Sequence, residues 1–418
     1  MTKSNQFTGI ALITVLVFLW GFAHYLDPIL IPHLKRSFTL TTMQATLVDS
    51  AVFIAYFLIA IPTEMILKKW SYKAGIIVGL LVFATRCYLF IPAANIQLYS
   101  FFLIALFIIA CGLTVLETVA NPYISVIGDP ESATIRLNFA KSFKDLTTML
   151  VLIVGARLIL TQTYSDVVLR VVTPETGKIA LASEESSVKA PYFILGIVLV
   201  IIAVCFYFAK MPAVNDDNSD DTARSNSIFY VLKHRYSSWA AKFFYVVAQV
   251  CVFSLFILYS KQAAGVTETE AAYYLSGAGL ALLVGRFLGT GLIKFISSNK
   301  LLAIYAAINV LLCVNAVLNH GIITVYILIG ICFFMSNMFP TIFALRIKDL
   351  KGDTEYGSSL IIMSIVGVAI FLRIFEYISD KTGNIGVGYW IPLICFVVVV
   401  FGFSGHKISC KETNTLPV

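Results

Sequence analysis

Residues 99–127 read YSFFLIALFIIACGLTVLETVANPYISVI. The run exceeds the roughly 20 apolar residues that carry an α-helix across a hydrocarbon core. It contains one formally charged side chain, Glu117. Such continuous apolar sequence predicts a membrane helix, because a strand in a bilayer barrel would alternate over about ten residues. Inside lipid each backbone N–H and C=O must also be satisfied within its own segment, which a helix achieves. The run holds Asn121-Pro122 as well. Proline has no N–H, and its ring crowds the carbonyl four residues earlier, here that of Thr118. A polar spot is therefore expected deep in an apolar helix, tolerable only beside protein or a cavity.

The same pattern recurs on both sides. Apolar runs predict spans near 8–31, 44–67, 74–94, 99–127, 137–161, 190–210, 239–260, 271–296, 301–318, 321–345, 357–379 and 387–404. Composition agrees: 59% of the 418 residues are hydrophobic and 13% charged, where a soluble domain carries about 25% charged residues. The chain has too few polar side chains to coat a globule in water, and a lipid-facing surface removes that need. The net charge of +7 is spread through short loops rather than gathered in a patch, so it reads as a topology signal and not as a nucleic-acid footprint. Seven of the eight cysteines lie inside apolar runs without CxxC or metal-type spacing, as small packing residues do. The N-terminal apolar run has no small-residue cleavage site and reads as a first span.

With the N-terminus in the cytoplasm, Lys68, Lys69, Lys73, Arg136, Lys233, Arg235, Lys294, Lys300, Arg346, Lys348 and Lys351 share the cytoplasmic side. That is the side favoured for Lys and Arg, and an even number of spans returns the C-terminus to it. The polar stretch 211–236, with Asp216-Asp217-Asn218-Ser219-Asp220-Asp221, has too little apolar surface to fold alone and reads as a linker. It divides the chain into residues 1–210 and 237–418. The halves echo one another: Asn121-Pro122 in span four and Phe339-Pro340 in span ten lie at similar depth, each followed by a short charged loop. Two parallel six-helix repeats around a midplane site describe the major facilitator architecture. The expected fold is thus an all-α integral membrane protein of about twelve transmembrane helices in two pseudo-repeat halves.

Ionisable groups within spans are costly and mark function by default. Glu117 leads: a carboxyl group in this setting can alternate between protonated and charged forms, as a proton carrier must, although interhelical hydrogen bonding alone would also explain it. Asp27 stands beside Pro28 late in span one, with His24 one turn away and Tyr25 between them. Asp49 and Glu64 read as interfacial groups or partners of loop lysines. In span five, Asn138, Lys141 and Asp145 lie at i, i+3 and i+7 and share a face. Lys141 can pair with Asp145 at i, i+4, or meet Glu117 or an anionic substrate. Gln249 and Asn337 stand among aromatic residues, a combination that suits sugar rings and equally suits helix-to-helix hydrogen bonding. Arg286 reads as a buried structural charge, and Arg373 with Glu376 as a neutralising i, i+3 pair. No Walker loop, HExxH or GxSxG motif is present, so no enzyme is expected, and neither a metal nor another cofactor.

Across nearly the whole chain these residues resemble the fucose permease family of major facilitator sugar transporters. Trp20-Gly21-Phe22 through Ile29-Leu30-Ile31-Pro32 is similar to its first-span signature, and Tyr72-Lys73-Ala74-Gly75-Ile76-Ile77 to its second loop. The most specific match is Leu116-Glu117-Thr118 with Ala120-Asn121-Pro122. Arg136-Leu137-Asn138, Pro340-Thr341-Ile342-Phe343, Tyr356-Gly357-Ser358-Ser359 and Ser379-Asp380 add to it. The resemblance implies proton-coupled import of a neutral sugar such as L-fucose across a bacterial inner membrane. It further implies that Glu117 and a span-one aspartate, here Asp27, share proton coupling and sugar binding. The chain departs from the pattern in three places, one of them Arg373 and Glu376, where the family is expected to carry proline or small residues. Leu26-Asp27-Pro28-Ile29 puts the carboxylate one residue earlier than the Leu-Asn-Asp-Ile often found there, about 100° around a helix. Lys141, Lys144 and Asp145 place charges where the family carries neutral side chains.

The expected function is a monosaccharide:proton symporter working by alternating access, with both termini cytoplasmic. Glu117 and Asp27 are the expected proton-linked groups. Tyr25, His24, Asn121, Asn138, Lys141, Gln249 and Asn337 are the expected sugar contacts. Its partners are a small sugar, protons and the lipid bilayer; nothing demands nucleic acid or more than a monomer. Two alternatives stay open: a sugar-acid or anion carrier using Lys141, and a non-transporting membrane sugar receptor.

Overall fold

A computed structural model describes residues 7–21, 54–65, 67, 70–96, 99–155, 193–209, 211, 228–350, 359 and 362–404. Among these the regular structure is helical throughout. The first helices are α1 (Phe7–Gly21), α2 (Ile54–Met65), α3 (Tyr72–Ile96), α4 (Tyr99–Val126), α5 (Ala133–Gly155) and α6 (Phe193–Phe208). They are followed by α7 (Ile228–Ser254), α8 (Phe256–Ala264), α9 (Glu268–Leu292), α10 (Ser298–Leu318), α11 (Ile322–Met335) and α12 (Met338–Leu350). The last are α13 (Gly367–Thr382), the short α14 (Ile385–Gly388) and α15 (Trp390–Ser404). Helix α7 starts inside the stretch that the sequence reading assigns to the 211–236 linker, where Ile228-Phe229-Tyr230-Val231-Leu232 resumes apolar sequence.

Among the described residues five helical stretches are long and apolar enough to cross a bilayer, or six if the bent pair Ala240–Ser254 and Phe256–Ala264 is one span. That pair is bent by 56°. Large apolar side chains point outward, Phe208 on α6 at 76% and Phe401 on α15 at 72% exposure. A soluble monomer rarely shows apolar surface on that scale, and lipid is its natural cover.

The chain forms two compact units, Met1–Ala120 with Thr147–Pro212, and Asn121–Leu146 with Ala213–Val418. Helices α4 and α5 each pass from one unit into the other. Within the first unit, α3 and α4 approach closely through glycines. Gly79 faces Leu116 and Val115, and Gly112 faces the backbone of Phe83. Small residues let helix backbones meet where no water drives association. Lys73 Nζ donates to the carbonyls of Tyr207 (2.7 Å) and Ala209 (2.9 Å) at the end of α6. A cation there takes up carbonyls left without helical partners and suits the negative end of the helix dipole. Thr147 Oγ1 donates to the Phe18 carbonyl at 2.9 Å, tying α5 to α1.

In the second unit α7 packs against α13 and α15, α10 against α15 and α11, and α9 against α11. Tyr259 and Tyr389 meet with ring centroids 4.7 Å apart, and Phe375 joins Tyr389 at 5.4 Å. The Tyr259 hydroxyl donates to the Ala316 carbonyl at 2.6 Å. At the end of α4, Arg136 donates to the carbonyls of Ile124 (3.1 Å), Ser125 (2.9 Å) and Asp129 (2.8 Å). One guanidinium thus closes the helix and the turn after it, a task that its fork of donors suits.

Candidate functional site

Glu117 is 4% exposed on α4, surrounded in sequence by Leu116 and Val119, which are fully buried. One turn on, in the second unit, Asn121 is 1% exposed, and neither its amide nitrogen nor its amide oxygen has a hydrogen-bond partner among the described residues. Buried polar atoms are normally satisfied, so an orphaned amide asks for water or a ligand. Pro122 lies within α4, which continues past it to Val126.

The matching proline of the second half acts differently. Pro340 cannot donate to the Ser336 carbonyl and crowds it, and the span breaks at Ser336-Asn337 between α11 and α12. The Tyr245 hydroxyl donates to the Met335 carbonyl at 2.8 Å and so helps to satisfy the break. Asn337, 2% exposed, is aimed sideways from it. In the orientation that satisfies both amide atoms, its nitrogen donates to Asn138 Oδ1 (2.7 Å) and the Arg286 carbonyl (3.2 Å), and its oxygen accepts from the Thr290 N–H (3.2 Å). Asn138, fully buried, donates to the Thr134 carbonyl (2.9 Å) and Thr341 Oγ1 (3.3 Å).

Two glycines of α9 allow this approach. A Cβ on Gly285 would collide with the Phe333 carbonyl oxygen, and one on Gly289 with the Asn337 amide. Between them, Arg286 reaches α5: its Nε lies 2.7 Å from Asp145 Oδ2, with both side chains 5% exposed. Neither atom makes a directed hydrogen bond, so the contact is short and electrostatic but poorly aligned. The i, i+4 spacing allows Asp145 to pair with Lys141 on the same helix; the short ion pair in the structure is with Arg286 on another.

Lys141, 3% exposed, extends toward Phe339, its Nζ 5.2 Å from the ring centroid. Lys242 on α7 is fully buried, with its Nζ 2.8 Å from the same centroid. The sequence reading passed over Lys242, because a lysine near the start of a span resembles one more basic loop residue. The usable signal was that three apolar or small residues precede it within the span. Gln249 lies seven residues further along α7, on the same face, and is half-buried. Arg373 and Glu376 pair at 3.5 Å at a half-exposed position, as their spacing suggests. Glu64, read as interfacial, is 1% exposed on α2. Asp27, His24 and Tyr25 lie outside the described residues.

The second unit therefore brings together Asn138, Asn337, Thr341, Asp145 and Arg286, and separately Lys141, Lys242 and Phe339. Such a set can bind polar ligands through amides, hydroxyls and cations beside an aromatic face. It contains no nucleophile with an adjacent base.

The sequence pattern of the Major Facilitator Superfamily matches residues 10–345. The chain is 40% identical over 397 residues to the L-fucose-proton symporter of Escherichia coli strain K12, covering 93% of this chain and 91% of that protein. It is 35% identical over 411 residues to a glucose/galactose transporter of Brucella abortus, covering 97% and 96%. A crystal structure of the transporter FucP in the outward conformation matches with a TM-score of 0.87 at 38% identity, over 96% of this chain and 99% of that one. The proton:xylose symporter XylE shares the fold, with a TM-score of 0.72 at 12% identity over 96% and 95%. The chain belongs to the Major Facilitator Superfamily, within its fucose permease family.

Proposed function

We propose that the chain imports a monosaccharide, L-fucose-like or glucose/galactose-like, together with a proton by alternating access. The observation that carries this reading is Glu117: a carboxyl group 4% exposed in an apolar membrane helix, in a chain 40% identical to an L-fucose-proton symporter. Protonating Glu117 removes a charge that is costly to hold inside a membrane protein. The neutral form accepts sugar and lets the two halves, 1–210 and 237–418, rock about the bound substrate, with 211–236 as the linker. Asp27 assists in coupling. The unsatisfied amide of Asn121 supplies one donor and one acceptor, which suits a sugar hydroxyl. Gln249, Asn138, Asn337 and Lys141 line the path, with Tyr25 and His24 from span one. The protein acts as a monomer in a bacterial inner membrane, with both termini in the cytoplasm.

L-Fucose counterflow in proteoliposomes tests this, with glucose, galactose and a hexuronate as competitors. Exchange of a neutral sugar supports the reading, and binding without exchange of any sugar overturns it in favour of a receptor. A second reading, transport of a sugar acid, is favoured by the two buried lysines beside Phe339. Competition by the hexuronate that disappears in Lys141→Gln would select it.

A further inference from the structure

We propose that Tyr245 is a positioning residue for substrate: its hydroxyl braces the broken helix between α11 and α12 and so fixes where Phe339 faces the ligand. The inference rests on the transporter reading and adds to it a residue that need not touch the sugar. Ile322–Leu345 is one stretch long and apolar enough to cross a bilayer, yet its helix is interrupted at Ser336-Asn337. Such a break leaves backbone groups that lipid cannot satisfy. In an unbroken helix the Met335 carbonyl would accept from the Phe339 N–H. The Tyr245 hydroxyl reaches both ends of that rung. It donates to the Met335 carbonyl at 2.8 Å and engages the Phe339 backbone. A side chain that enters the ladder in this way is a recognised cause of a break.

The surroundings turn this hydroxyl into a fixed reference point. Tyr245 is 1% exposed, on a helix packed against α13 and α15. Lys242, one turn earlier on the same face of α7, has its Nζ 3.4 Å from the Phe339 carbonyl. Helix α7 therefore meets the span on both sides of the break, at Met335 and at Phe339. From another direction α9 seats the end of α11, where a Cβ on Gly285 would collide with the Phe333 carbonyl. What the break presents is Phe339. Its side chain is half-buried and stacks on Phe343, with centroids 6.5 Å apart and planes 10° apart. The Lys141 Nζ lies 5.2 Å from its centroid. A binding face has to be held to within about 0.5 Å by the residues behind it. Tyr245 does this through the backbone of Phe339 and of the turn before it.

The test compares two hydroxyl deletions in the full-length protein in proteoliposomes. Tyr245→Phe removes the brace. Tyr259→Phe removes another buried hydroxyl-to-carbonyl bond, to Ala316 at 2.6 Å, on α8 and away from the break. Counterflow is measured over a range of concentrations of L-fucose, glucose and galactose, and thermal unfolding on the same preparations. Tyr245→Phe is expected to raise the half-saturating concentration about tenfold and to keep the maximal exchange rate within about twofold of the parent. Tyr259→Phe is expected to lose similar thermal stability while keeping the parent half-saturation. Where Tyr245→Phe does not fold, Tyr245→His keeps a shorter polar group, and an intermediate rise is expected. An equal rise in the Tyr245 and Tyr259 variants overturns the positioning role, because general loosening then explains both. Exchange by the parent beside an unshifted half-saturation in the folded Tyr245 variants overturns the positioning role alone. A parent that exchanges no sugar overturns the transport reading, and the positioning role falls with it.

Discussion

Asp145 Oδ2 lies 2.7 Å from Arg286 Nε with both side chains 5% exposed, so an ion pair joins α5 to α9 inside the second unit. Removing one partner leaves the other charge buried and uncompensated, which typically costs about 3–5 kcal/mol. Replacing both with apolar residues of similar size is often neutral or stabilising. Thermal unfolding in detergent should therefore rank Asp145→Asn and Arg286→Gln well below the parent. The double variant Asp145→Leu with Arg286→Met should lie near the parent. A double variant as unstable as the singles would mean that the pair contributes through packing rather than charge.

Glycine matters at one place in α9 and not at another. A Cβ on Gly285 meets the Phe333 carbonyl, a backbone atom with little room to yield, whereas one on Gly291 meets nothing within 4 Å. Gly285→Ala is expected to destabilise by about 1–3 kcal/mol through overpacking. Gly291→Ala should stabilise by about 0.5–1 kcal/mol, because alanine loses less backbone entropy in a helix. Both values can be read from the same unfolding curves, and equal effects would contradict the close approach of α9 to α11.

Glu117→Gln keeps the shape of the side chain but cannot exchange a proton. On the symport reading, the variant should retain sugar counterflow and lose uptake against a sugar gradient. Paired measurements of exchange and of uptake driven by an imposed pH gradient decide it. Gradient-driven accumulation at the parent level would remove Glu117 from coupling.

Asn121 offers a cleaner separation of binding from stability. Its amide has no hydrogen-bond partner among the described residues, so truncation leaves no broken bond behind. Asn121→Ala should change the unfolding temperature little and raise the half-saturating sugar concentration about tenfold, as expected for loss of a hydrogen bond worth about 1–1.5 kcal/mol. A large fall in stability with unchanged affinity would instead make Asn121 a packing residue.

The membrane class, the helical architecture and the family were legible in the order of residues. Hydrophobic runs are set by local composition, and a backbone in lipid has few ways to satisfy itself. Glu117 stood out for the same reason, as a charge in the middle of such a run. Arg373 and Glu376 could be paired from spacing alone, because a helix brings residues three apart onto one face.

The arrangement within the second unit was not legible in this way. Arg286, the ion-pair partner of Asp145 at 2.7 Å, is 141 residues away in sequence, a separation that no helical spacing indicates. Lys242 and Lys141 meet the same Phe339 ring only because α5, α7 and α12 fold together. Asn121-Pro122 and Phe339-Pro340 looked alike as sequence, yet α4 runs through its proline while the other span breaks at Ser336-Asn337. What the sequence by itself determined was the membrane class of the chain, its helical character and the standing of Glu117 as a charge within an apolar helix, since these follow from transfer of each residue out of water. Which charge meets which was decided by tertiary packing alone, because a buried ion pair depends on distances between helices that no local pattern encodes.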